Sequence, residues 1–202
     1  MFGRSGLGSG VCLAFVMTLS AIATSLPAAA APSQAQLWDA LRTGQAFAMI
    51  RHALAPGTGD PSSFAIDDCS TQRNLNDVGR TQARRIGDLF RANGISEAQV
   101  MTSQWCRCRD TATEMAVGEV QDLVPLNSFF EARERSAAQT KALQDWLTAR
   151  AGTKTATPLV LVTHFVNIGA LLRAFPSSGE IVVGQRLGPR RFQVLGTIET
   201  LP

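Results

Sequence analysis

The sequence predicts an α/β fold: a three-layer sandwich with a mostly parallel central sheet and helices on both faces. Two observations carry that expectation. Residues Ala46 to Ile50 form a continuous apolar run, and Leu159 to Val162, ending on Thr163, read as a second buried strand; both are too short for helices and lack the alternation of a half-wet strand, as suits strands buried on both faces. Segments with apolar residues at helical spacing separate these runs from further strand-like ones, and strands that alternate with helices point to a parallel sheet. In such folds ligands bind beyond the carboxyl ends of the strands, so chemistry is sought where strand patterns stop.

The chain opens with Arg4, an apolar run from Val11 to Leu26 and the small cluster Pro27 to Ala31. This is a signal-peptide pattern over residues 1–30, with Ala28 and Ala30 at the small-residue positions of a cleavage site after Ala30. Residues 31–202 are expected to form one domain, periplasmic or secreted. No later apolar run is long enough to span a bilayer, so no stable membrane insertion is expected after cleavage. With 45% hydrophobic and 17% charged residues the composition is globular, and the formal charge of +3 is spread along the chain, which offers no nucleic-acid surface.

Within that domain Leu37, Trp38 and Leu41 recur at helical spacing behind Ser33, predicting a helix that stops before Gly44, and the first buried strand follows. Residues 54–74, rich in Pro, Gly, Ser and Asp, read as a long loop of the kind that usually serves function. A helix capped by Asn76 or Asp77 turns Val78, Gln82, Ile86, Leu89 and Phe90 to one side and stops at Asn93 and Gly94. Next are expected a strand over 100–103, a helix from Trp105 to Val117, a short strand over 123–126 and a helix from Ala132 to Ala151 closed by Gly152. After the second buried strand come a helix over 168–175 and strands near 181–183 and 192–198.

The protein has two histidines, and each follows a buried strand: His52 after Arg51, and His164 after Thr163. If both strands are parallel neighbours, both imidazoles emerge at one edge. A third strand end leads into a helix with Arg107 in its first turn, where backbone amides also favour an anion. Guanidinium forks match phosphate oxygens two at a time, so arginines around imidazoles describe a pocket for a small phosphorylated ligand. Cys12 leaves with the signal, and Cys69, Cys106 and Cys108 remain. A bond within a C-x-C is strained and the long loop needs an anchor, which pairs Cys69 with either Cys106 or Cys108. A metal or redox centre built from Cys106, Cys108 and the histidines is the contrasting possibility, but C-x-C is not the spacing of a common zinc site.

Arg51, His52 and Ala53 resemble the R-H-G motif of the histidine phosphatase superfamily, which also contains the cofactor-dependent phosphoglycerate mutases. Ser103 to Ala112 is similar to its S-x-x-x-R-x-x-x-T-A pattern, and Val162, Thr163 and His164, followed by Asn167 and Ile168, to its second-histidine strand. Gln72, Arg73, Asn74 and Leu75, with the Cys-Arg-Cys around Arg107, look most like small exported members. The resemblance implies a phosphomonoester hydrolase in which neutral His52 takes the phosphoryl group and water removes it, without cofactor or metal. Arg51, Arg107 and a protonated His164 would hold the phosphoryl oxygens. Three departures stand out: Ala53 for the motif's glycine, Phe165 after the second histidine, and Ser128 where an L-N-E segment would carry the proton-donating glutamate. Glu131 is then the candidate donor and Asp60 its rival, while Arg73 is as well explained by a loop-pinning ion pair. Two other readings share the fold: a phosphohistidine phosphatase, for which a weak acid would suffice, and a non-catalytic phosphate-binding protein.

Overall fold

The structure, a computed structural model, describes residues 1–3, 30–150 and 157–200. Residues 4–29 of the expected signal peptide, and the helix stop at Gly152, lie outside the described residues.

The first helix, α1 (Gln34–Arg42), starts where Ser33 and Gln36 satisfy each other's exposed amides in a reciprocal cap, and it buries Leu37, Trp38 and Leu41. Strand β1 (Phe47–Arg51) follows, then the long loop, then α2 (Asp77–Ala92), capped by the Asn76 side chain. Strand β2 (Gln99–Thr102) leads into α3 (Cys106–Met115), so Arg107 does lie in a first helical turn. Strand β3 (Val120–Asp122), α4 (Ser136–Arg150), β4 (Leu159–Thr163), α5 (Phe165–Leu172), β5 (Ile181–Gly188) and β6 (Arg191–Ile198) complete the chain.

The six strands form one sheet in the order β3-β2-β4-β1-β5-β6. The first four are mutually parallel, while β5 runs antiparallel to β1 and β6 to β5. Successive strand residues point to opposite faces, and the two cores divide accordingly. Ala48, Ile50, Val160 and Val162 pack with α1, α2 and α3; Phe47, Met49, Leu159 and Leu161 pack with α4 and α5. That is the three-layer sandwich.

Several boundaries differ from expectation. The third strand lies at 120–122 rather than 123–126, because Pro125 has no amide to give a ladder and Val124–Leu126 turns as a 3-10 helix instead. Its residues are largely solvent-facing, so no apolar pattern marked it. The helix expected from Ala132 opens as a separate 3-10 turn, Arg133–Arg135, before α4. The helix expected at 168–175 begins at Phe165 and ends at Leu172, which makes His164 its N-cap. The tail strands are longer than expected and form a hairpin. The loop over 54–74 contains a 3-10 turn, Cys69–Thr71, and is tied to α3 by a Cys69–Cys106 disulfide with a Cα separation of 5.7 Å. Two helix positions apart, Cys106 and Cys108 face in different directions: Cys106 meets the loop, and Cys108 is a buried thiol in the core.

Candidate active site

Strand register brings the expected residues together. Arg51 lies opposite Thr163 in the β1–β4 pair and Thr102 opposite Val162 in the β2–β4 pair. The ladder continues past the strands, with the His52 amide donating to Thr163 O (2.9 Å) and the Ser103 amide to Val162 O (3.0 Å). Three carboxyl ends therefore open side by side into a cavity of about 240 Å³ whose lining includes Arg51, His52, Arg107, Glu131 and His164.

His52 is buried, and its Nδ1 lies 2.8 Å from the carbonyl of Ala53. A carbonyl only accepts, so Nδ1 carries the proton and Nε2 keeps its lone pair. The segment after His52 is itself held: the Ala53 amide donates to Thr111 Oγ1 (2.9 Å) and the Leu54 amide to Gln82 Oε1 (2.9 Å). Burial first, and then the charge of Arg107, push the His52 pKa down to about 3, against a smaller opposing effect of the Ala53 bond. The ring is neutral at any ordinary pH.

His164 is also buried, with its ring centroid 5.5 Å from that of His52. Its Nε2 lies 3.0 Å from Ser103 Oγ and 3.4 Å from Cys108 Sγ. The expectation of a protonated His164 is corrected here: burial, then Arg107, His52 and the other guanidiniums, hold its pKa well below 6.5.

Arg107 is almost completely buried, and Asp60 grips its fork from the long loop, Oδ1 accepting from one terminal nitrogen (2.6 Å) and Oδ2 from the other (3.1 Å). Asp60 also accepts from Trp105 Nε1 (2.9 Å) and the Arg73 amide (3.1 Å). Burial opposes its ionisation, but the bonds and charge of Arg107 outweigh burial and hold Asp60 below its usual range. A carboxylate kept ionised in this way has no proton to give, so Asp60 is the partner of Arg107 rather than a rival acid. Glu131 lines the same cavity, and its Oε1 accepts from the Asp60 amide (3.2 Å).

Arg51 is half-buried, donates to Pro176 O (3.1 Å) and sits 5.3 Å from the centre of the Phe165 ring. The departure at Phe165 thus supplies a support for that arginine. Arg73, left off the site by sequence reasoning, lines the cavity, its side chain bonded to the carbonyls of Ala55 and Gly59. Arg135 lines it as well. Phe64, Trp105 and Phe130 were also missed: Phe64 and Phe130 come from segments without strand or helix periodicity, and Trp105 was read only as the start of a helix. Four arginines against two carboxylates suit an anion. Among the described residues no group of three or more His, Cys, Asp or Glu side chains is placed to hold a metal ion.

Residues 48–139 match the sequence profile of the histidine phosphatase superfamily (branch 1). No curated protein matches the chain by sequence. Among solved structures it is similar to a mycobacterial glucosyl-3-phosphoglycerate phosphatase, at 17% identity and a TM-score of 0.54 over 74% of this chain and 96% of that one. The protein histidine phosphatase SixA, complexed with tungstate, is similar at 15% identity and a TM-score of 0.51 over 76% and 96%. A phosphoserine phosphatase from Entamoeba histolytica in complex with 3-phosphoglyceric acid is similar at 15% and 0.53 over 77% and 97%. At these identities the likeness establishes the shared fold.

Proposed function

We propose, for a chain that belongs to the histidine phosphatase superfamily, that it hydrolyses phosphomonoesters through a phosphohistidine on His52. The observation that carries this reading is the Nδ1 bond to Ala53, which leaves Nε2 as an unprotonated nucleophile in a buried, cation-rich cavity. In the first step Nε2 bonds to phosphorus as the ester P–O bond breaks, and the departing oxygen takes a proton from Glu131. In the second, water attacks phosphorus, the P–N bond breaks, and Glu131 recovers a proton from the water. Arg51, Arg107 and Arg73 face the phosphoryl oxygens with charge already in place, and preset charge is what stabilises a phosphoryl-transfer transition state. A phosphate dianion opposes the cationic push on His164 and favours its donating to a phosphoryl oxygen. The disulfide suits an oxidising compartment, which supports placing the protein in the periplasm or outside the cell.

Ser128 in place of a glutamate favours a second reading, a phosphoamide substrate whose leaving group asks less of an acid. Rapid-quench trapping of an acid-labile phosphoenzyme tests the mechanism. Label should form in the wild type, vanish in His52→Ala, and form roughly a hundredfold to a thousandfold more slowly in His164→Ala. Label that survives in His52→Ala overturns the assignment, and its absence from a wild type that binds phosphate points to a binding protein.

A further inference from the structure

With ten Phe and three Trp in the chain, four aromatic rings converge on this one cavity. Phe64 stacks on Trp105, centroids 5.0 Å apart and planes 22° from parallel, and Trp105 meets His164 edge-on at 5.4 Å. Phe130 lies 5.8 Å from Phe165. A guanidinium sits by each of these two rings, Arg133 5.4 Å from the Phe130 centre and Arg51 5.3 Å from that of Phe165. All four rings are only partly buried, although Trp105 also packs against the core, so each keeps surface for the cavity.

Several polar side chains among them are already engaged. Asp60 is committed to Arg107, Trp105 and Arg73; Arg73 to two carbonyls; Ser128 Oγ to the Phe130 amide. Beyond the phosphate, the cavity thus offers a substrate these ring faces and edges, beside the side chains of Thr58, Glu131 and Arg135.

We infer that the site selects phosphomonoesters whose leaving group carries a planar aromatic ring close to the ester oxygen. This rests on the phosphatase reading above. A second observation converges on it. The lone carboxyl acid, Glu131, is exposed and already accepts a backbone bond, a weak arrangement for protonating an alkoxide. A phenol, with a pKa of about 10, leaves with far less help.

Binding of non-hydrolysable phosphonates separates recognition from leaving-group chemistry. By calorimetry the wild type should bind phenylphosphonate about tenfold more tightly than methylphosphonate, the scale of one or two aromatic contacts. The preference should largely disappear in Phe64→Ala/Phe130→Ala. It should also weaken in Phe64→Leu/Phe130→Leu, which keeps apolar bulk but no ring; thermal melts establish that the variants are folded. No preference in the wild type, or one untouched in the folded alanine variant, overturns the inference. Failure of the wild type to bind either phosphonate or inorganic phosphate overturns the phosphatase reading itself.

Discussion

The neutral, buried His52 makes a definite demand on stability. In the folded protein its pKa is about 3, against an ordinary value of 6.5. As pH falls below 6.5 the unfolded chain takes up a proton that the folded chain refuses. Stability is thus fully present above pH 6.5 and drains away down to about pH 3. One pH unit is worth about 1.4 kcal/mol, so by pH 4.5 the loss from this ring alone is about 3 kcal/mol, and at its limit about 5 kcal/mol. His164, depressed for the same reasons, adds to the loss, and Asp60, held below its usual range, contributes a further loss at lower pH. Urea unfolding at pH 7.5 and 4.5, on the wild type and on His52→Gln, measures the effect. The wild type should lose about 3 kcal/mol more than the variant across that interval. Equal losses in the two proteins would show that His52 is not held neutral, and the argument for its nucleophilic nitrogen would go with it.

Cys69→Ala opens a loop with a sequence separation of 37 and should cost about 4 kcal/mol, a fall of roughly 8–16 °C in Tm; an unchanged melting curve with and without reductant would refute it. Asp60→Asn leaves Arg107 buried without its counter-charge, which should cost about 3–5 kcal/mol. Inorganic phosphate should then raise Tm more in the variant than in the wild type; a smaller rise would mean that Arg107 does not meet phosphate. At Gly79 an added Cβ would stand 2.1 Å from the carbonyl oxygen of Leu54, so Gly79→Ala should cost about 1–3 kcal/mol by urea unfolding. Leu54 lies just beyond His52, so turnover should fall as well.

Much of the fold was legible because burial on both faces writes itself into a strand as an unbroken apolar run. Phe47 to Ile50 and Leu159 to Val162 feed the two cores alternately, and no helix of that length could do so. β3 left no such mark, since an edge strand with exposed residues is defined by the neighbour it pairs with. The start of α5 was misplaced for a related reason: a helix that begins directly off a strand end has no capping side chain to announce it.

At the site the same division holds. The sequence by itself determined which residues meet at the cavity: two histidines and an arginine at the ends of buried strands, and a second arginine opening a helix, because strand ends and helix starts are local features that chain order specifies. Tertiary structure alone decided how those residues behave. Which cysteine meets Cys69 follows from the direction each faces on α3. Asp60 becomes the mate of Arg107, although 47 residues separate them, because the loop folds back over the strand ends. The proton on His52 is fixed by a neighbouring carbonyl and its pKa by burial, and four rings from four segments close one cavity. Each of these depends on distances between parts of the chain remote in sequence, and both charge and desolvation act through space rather than along the backbone.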